Sequence, residues 1–385
     1  MNFNDYFDPI DLPFIQSKYM EYPSSLGSNI TLHLQSGDIE NIDQFQIALL
    51  GVPEERSSEN KGCSKAPDIV RNMLFRLQKI QNVKIIDLGD FKPGKNINDT
   101  YIGLGDVLQE LNAHDVCAVI LGGSQDLTYS QYLSYEKQKK LFSIVTVDSQ
   151  IDVSGLEEDI NSQNFLNTIL CNSKYLFNYT NLGHQNYLVD DAKVDMLNKL
   201  YFDAIRLGQV RSNIQEVEPI LRDANILSMD ISSLRQSDAP AYYNPSPNGF
   251  YCEEACQVAY YGGMSDHITS FGMYEINPSL DINNQTVNLA AQIIWHFLSG
   301  FVLRRKEDPA GQTSEFKKFI VSLTAKNDEV IFYKSIQTDR WWIEVPMFKD
   351  GVAQKILRSC SYLDYQKACN HEIPDRWWKT FQKIN

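Results

Sequence analysis

From about residue 45 to residue 300 the chain repeats one pattern: a short run rich in Val, Ile and Leu, a polar or glycine turn, then a segment of helical period. The runs lie at 46–53, 83–90, 116–123, 142–149, 175–183, 204–210, 225–232 and 268–277. They are apolar on both faces, as strands of a parallel sheet must be when helices cover each side. The pattern therefore predicts an α/β fold, a three-layer α/β/α sandwich around a mostly parallel eight-stranded sheet. After Arg305 the period changes. EFKKFIVSL (315–323), EVIFYKSIQ (329–337) and RWWIEVPMF (340–348) read as an antiparallel meander with a helical segment after it. Three regions follow: 1–44, an N-terminal segment packing on the main domain; 45–305, the α/β domain; and 306–385, a C-terminal extension with antiparallel strands and then helix.

Several runs end in a small or acidic group, among them Glu54, Asp87, Asp90, Gly122, Gly123, Asp148, Asp230 and Glu275. Open parallel sheets bind ligands outside the carboxyl ends of their strands, so the acids are expected at one rim. Each acid taken singly also reads as a helix cap, and for Asp90 that is the preferred reading.

Charge narrows the partners. The 385 residues carry 35 Lys and Arg against 49 Asp and Glu, a formal charge of −14, with no local basic stripe. Nucleic acid is not an expected partner. The longest apolar stretch, 289–303, is broken by Gln292, His296, Ser299 and Gly300, which argues against membrane insertion. The first residues carry acids where a secretory signal carries bases, so a cytoplasmic location is expected. Seven scattered cysteines without a C-x-x-C pair read as reduced thiols. Cys252 and Cys256, one helical turn apart, read as buried rather than metal-binding.

Six segments carry more specific information. GVPEERSSENKGCSKAPDIVRNML holds Gly51, Pro53, Gly62, Pro67 and Arg71; IIDLGD follows at 85–90, and then LGGSQDLT, VDSQID, SMDISS and YEINPSLD. In this order they resemble the G-x-P loop, second strand, G-G-D-H-S, D-A-H-A-D, D-x-D and E-x-N-P-x-x-D motifs of the ureohydrolases, the arginase, agmatinase and formimidoylglutamase family. The chain looks like a formimidoylglutamase-like member with a degenerate metal site.

The resemblance implies an arginase-like fold and two manganese ions held by two histidines and four aspartates, with a bridging hydroxide that attacks a guanidinium or amidine carbon. Carried over residue by residue, the ligand positions are Gln125 for the first histidine, Asp148, Gln150 for the second histidine, Asp152, Asp230, and Ser232 for the last aspartate. None of the histidines, His33, His114, His184, His267, His296 or His371, falls at a ligand position. An amide is a weaker manganese ligand than imidazole, so no binuclear site and no resident cofactor is expected. The three remaining carboxylates are expected to gather at most a single Mg²⁺, Mn²⁺ or Ca²⁺, weakly. Without metal they repel one another. Arg235 is the cation expected to offset them, unless it points to solvent.

Glu275 matches the family's acid that pairs with the substrate guanidinium. Either that cation-binding role survives, or Glu275, Asn277, Pro278 and Asp281 are kept for turn geometry. The loop 237–251, before a helix expected near Glu253, brings Tyr242, Tyr243, Phe250 and Tyr251 to the pocket mouth or to rim packing.

Two functional readings follow. The preferred one is a non-catalytic arginase/formimidoylglutamase-like protein with a binding or assembly role. The alternative is a hydrolase of linear C–N bonds, acting on an amidino, guanidino or formimino substrate with a reduced or absent metal site. The resemblance also implies a homo-oligomer, and a small cationic ligand or a protein partner is expected. The extension repeats Asp-Arg-Trp-Trp at 339–342 and 375–378. Adjacent tryptophans on a strand face opposite ways, so the tail is expected to fold back and bury Trp341 or Trp342 with Trp377 or Trp378. Arg340 or Arg376 is expected to stack on a ring of the other copy.

Overall fold

Successive residues of each buried run enter opposite layers of one sheet: Ile47 and Leu49 join one core, Ala48 and Leu50 the other. The computed structural model describes residues 1–11, 21–34, 39, 41–154, 159–323, 329–349 and 352–385. Its strands are β1 (Phe7–Asp8), β2 (Ile30–Leu32), β3 (Ile47–Gly51), β4 (Ile85–Phe91), β5 (Cys117–Leu121), β6 (Phe142–Val147), β7 (Leu176–His184), β8 (Asp203–Arg206), β9 (Ile226–Asp230), β10 (Ser270–Tyr274), β11 (Phe316–Ser322), β12 (Glu329–Ser335), β13 (Trp341–Lys349) and β14 (Val352–Cys360). The main sheet runs β1-β4-β3-β5-β10-β9-β6-β7-β8, with β2 also on β4. Among the described residues β2 to β10 pair in parallel, and β1 pairs antiparallel with β4. The eight expected strands are β3 to β10. The sheet has ten because the N-terminal segment adds β1 and β2, which are too short to show a period.

Helices cover both faces. On one lie α1 (Ala66–Leu74), α8 (Cys252–Gly263) and α9 (Gln285–Phe301), whose Val70, Val258 and Ile293 meet Leu121, Val147 and Met229. On the other lie α2 (Ile97–Ala113), α3 (Thr128–Glu136) and α4 (Phe165–Asn172). Helix α5 (Asp191–Lys199) and the shorter α6 (Leu207–Ser212) and α7 (Val217–Arg222) flank β8 and β9. The sandwich has the expected three layers. No described helix is long and apolar enough to cross a membrane.

Asp90 departs from its expected role. Helix α2 is capped instead by Asn96, whose side chain accepts from the Asp99 N–H while Asp99 reaches back. Asp90 belongs to a buried network around Arg71 of α1. That guanidinium lies 2.7 Å from Asp87, 2.7 Å from Asp68 and 3.0 Å from Asp90. Burial alone would discharge it, but the Asp87 and Asp90 charges hold the guanidinium protonated.

The extension forms a separate antiparallel sheet, β11-β12-β13-β14, followed by α10 (Tyr362–Cys369) and α11 (Asp375–Ile384). β14 was not apparent in the sequence, where VAQKILRSC alternates poorly. Trp341 and Trp342 face opposite ways and both are buried. Trp341 stacks on Tyr365 of α10 at 4.9 Å and meets Phe319 at 5.1 Å. Trp342 meets Phe316 at 5.4 Å and lies under the Arg222 guanidinium of α7 at 4.3 Å.

The tail does fold back: Trp377 joins the Trp341 cluster and donates to the Glu344 carbonyl at 3.0 Å, while Trp378 is 47% exposed. The cations on the tryptophan rings, however, are Arg222 of the α/β body over Trp342 and Lys334 of β12 over Trp341 at 5.7 Å, not Arg340 or Arg376. Arg340 pairs with Glu218 and Glu307, and Arg376 with Asp364 and Glu216.

Candidate functional site

Four neighbouring strands, β5, β10, β9 and β6, carry their carboxyl ends to one place. Beyond β5, Gly122 (φ +74°) and Gly123 (φ +78°) turn the chain through left-handed geometry. A Cβ on Gly123 would lie 2.6 Å from both Leu127 and the Val52 carbonyl, so only glycine fits. The turn delivers Gln125. β9 ends on Asp230, β6 one residue before Asp148, and β10 one residue before Glu275.

Glu275 is held in an unusual backbone state, with φ +61°. Its N–H donates to the Gly123 carbonyl (2.9 Å), and its own carbonyl accepts from Asn60 Nδ2 (2.7 Å). One carboxylate oxygen accepts the Gln125 N–H at 3.0 Å, and the other accepts Ser58 Oγ at 3.0 Å. Burial pushes its pKa up to about 7. The neighbouring motif residues serve the turn. Asn277 accepts the Ser279 N–H and donates to Asn60 and Lys61, and Asp281 accepts the Thr286 and Val287 N–H groups at the start of α9.

Asp148, Asp152 and Asp230 come together, all buried. Asp148 accepts the Gln150 N–H at 2.8 Å and Asp230 the Ser232 N–H at 2.6 Å. Asp148 and Asp152 lie close enough for each to act on the other. Burial raises both, and the Asp148 charge raises Asp152 further. Asp230 is raised by burial and then by the Asp148 and Glu275 charges. Without a cation among them, the three acids favour bound protons.

The remaining degenerate positions divide. Gln125 is buried; its side chain supports Asp148 and its Nε2 lies 3.4 Å from Ser228 Oγ, while its Oε1 has no protein partner among the described residues. Ser232 Oγ lies 3.5 Å from Ser149 Oγ. The Gln150 side chain is exposed, and only its backbone serves the cluster.

Arg235 does not offset the acids. It pairs with Asp238 at 2.9 Å and lies over the Tyr251 ring at 4.2 Å, because the loop turns its side chain outward. The nearest compensating cation is Lys193 of α5, whose charge lowers Asp152 and whose Nζ donates to the Ile151 carbonyl at 2.9 Å. Tyr179 and Tyr242 also sit in the field of the acids: burial raises both phenols, and the carboxylate charges raise them further. Tyr242 thus stands over the cluster, against Tyr243 at 4.7 Å. Lys193 and Tyr179 lie outside every recognised motif and gave no signal.

The donor set does not fit a binuclear manganese centre. One buried amide and one exposed amide stand where the family has imidazoles, and a hydroxyl stands where it has an acid. Among the described residues no group of three or more His, Cys, Asp or Glu is arranged to hold a metal ion. The cluster can hold protons and accept hydrogen bonds from a neutral or cationic group.

The arginase family model matches residues 45–300. The formimidoylglutamase of Staphylococcus haemolyticus is 26% identical over 277 residues, spanning 68% of this chain and 88% of that protein. That of Bacillus subtilis is 25% identical over 280 residues, spanning 66% and 87%. Among solved structures, Trypanosoma cruzi formiminoglutamase with Mn²⁺₂ superposes with a TM-score of 0.64 at 19% identity, covering 69% of this chain and 97% of that one. Proclavaminate amidino hydrolase from Streptomyces clavuligerus gives 0.60 at 16% identity, covering 68% and 93%. These two structures share the fold.

Proposed function

The chain belongs to the arginase family, and from that premise we propose that it is a non-catalytic member whose former catalytic centre and C-terminal extension serve binding or assembly. The observation that carries this reading is the donor set at the ligand positions: the amides of Gln125 and Gln150 stand where the family has imidazoles and the Ser232 hydroxyl where it has an acid, and none of the three adds charge. Attack on an amidine or formimino carbon needs a water deprotonated near neutral pH. Three carboxylates with an amide and a hydroxyl hold a dication weakly, which leaves that water without its activator.

The substrate end of the site supports the same reading. Both Glu275 oxygens are engaged inside the protein, and Tyr242 stands over the acids. The group best able to sit here is a small neutral or cationic hydrogen-bond donor against Asp230, with Tyr242 moved aside. The S. haemolyticus and B. subtilis relatives bear the name of an enzyme, so hydrolysis of a linear C–N bond is the competing outcome. Elemental analysis of protein purified without chelator, with assays for urea, ammonia and formamide release, decides between them. Substoichiometric manganese and no release are expected. Stoichiometric manganese with turnover overturns the proposal.

A further inference from the structure

Helix α11 packs on β13 and β14, and with β14, α7 and β8, the last strand of the main sheet, it lines a cavity of about 550 Å³ outside the site described above. Its walls bring Asn178 of β7 together with Arg358 and Ser359 of β14 and Arg376, Lys379 and Lys383 of α11. Acids are present in similar number, but each is already engaged. Asp203 binds Lys379 Nζ at 2.6 Å, and Asp223 binds Arg358 Nη2 at 3.1 Å as well as the Ser359 N–H. Asp364 and Glu216 flank Arg376 at 3.3 and 3.7 Å, and Asp375 lies 3.7 Å from Lys367.

Lys383 is the exception. Its Nζ donates to the neutral Asn178 Oδ1 and lies over the rings of Phe177 and Phe202 at 5.5 and 5.0 Å. No carboxylate of the described residues forms an ion pair with it: the Asp203 charge acts on it from beyond contact while bound to Lys379, and Arg358 and Lys379 add like charge beside it. A second group on the same wall is also unused: Ser359 is 1% exposed, and its hydroxyl has no protein partner among the described residues. A cation with no ion pair of its own and an idle buried hydroxyl on one wall leave two donors without an anionic acceptor.

We propose that this cavity binds a small oxyanion, with Lys383 as its charge partner, Arg358 and Lys379 beside it, and Ser359 Oγ as an additional donor. Burial independently lowers the Lys383 pKa to about 7, the state expected of an ammonium whose counter-ion is missing. Because α11 and β14 lie outside the residues matched to the family, while Asn178 lies within them, the site exists only where extension and body meet. Its occupant would tie the tail to the sheet.

The test uses the full chain with inorganic phosphate, succinate as a dicarboxylate, and sodium chloride at matched ionic strength. A saturable rise in melting temperature is expected with phosphate or succinate and not with chloride, and which of the two acts names the oxyanion. Lys383→Met should weaken that binding about tenfold or more, and Lys383→Arg should retain it. Absence of any specific rise, or an equal rise in Lys383→Met, overturns the proposal. Should the Met variant fail to fold, wild-type protein decides. The bound anion should slow acylation of Lys383 by an amine-directed reagent, read by peptide mass spectrometry, and unchanged labelling overturns the idea.

Discussion

Asp68, Asp87 and Asp90 surround the buried guanidinium of Arg71, whereas Asp148, Asp152 and Asp230 meet with no guanidinium among them. Both groups draw acids from strands of one sheet, and each has a buried centre, Arg71 with Asp87 in the first and all three acids in the second. In the first, charge meets charge at 2.7 to 3.0 Å and the arrangement is complete within the protein. In the second, burial and mutual repulsion raise the acids, and Lys193 supplies an opposing charge. Equal acidity in the sequence therefore hides two arrangements, one closed by a guanidinium and one without it. The difference lies in whether a neighbouring helix brings a base.

The largest expected effect follows from breaking the complete group. Arg71→Met strands three acids and should cost about 3–5 kcal/mol in urea unfolding, whereas Asp148→Asn should cost nothing or stabilise. Equal losses from the two would erase the contrast. The next effect comes from giving the second group its cations back. Gln125→His, Gln150→His and Ser232→Asp together should bind Mn²⁺, stabilising by up to about 4 kcal/mol at a thousandfold excess over Kd, while wild type shifts little. A wild-type rise matching that of the triple variant would show that the amides are adequate ligands.

Acidity gives a subtler probe. Asp152 is raised well above 3.8 and Glu275 from 4.5 to about 7, so the folded chain binds more protons than the unfolded one. That contribution is full below the ordinary carboxylate values and is lost as pH rises through the folded ones. Asp152→Asn should flatten the decline by up to ~1.4 kcal/mol per pH unit in the window above 3.8. An unchanged slope would mean that Asp152 holds no extra proton in the folded chain. Smallest of all, Arg235→Gln should leave both the urea midpoint and this slope unmoved, because Arg235 pairs with Asp238 at the surface. A steeper slope would place Arg235 back among the acids.

The eight central strands were legible because burial on two faces forces continuous apolar runs, and the motif order placed Gln125, Asp148, Asp230 and Glu275 at neighbouring strand ends. What sequence could not show is pairing across long separations. Asp87 reads as a rim acid and Asp90 as a helix cap until α1 brings Arg71 between them, and Arg235 reads as the counterpart of Asp148, Asp152 and Asp230 until its loop turns it toward Asp238. Lys193 carries no local pattern, since only the packing of α5 sets its distance to Asp152. Trp341 and Trp342 were correctly placed on opposite faces by strand geometry alone, but Arg222, which covers one of them, lies more than a hundred residues earlier in the chain.

Arg222 ties the body and the extension into one melting unit. Its guanidinium donates to the Trp341 and Cys360 carbonyls at 3.0 and 3.2 Å, while its own helix belongs to the α/β body. If the small sheet frayed alone, that buried charge would lose its acceptors and the aromatic face above it at once. Cooperativity is thereby built into the seam, and loss of the extension and the body in a single transition is the expected outcome. Emission from the tryptophans, four of five in the extension, should then track the circular dichroism of the whole chain without an earlier step.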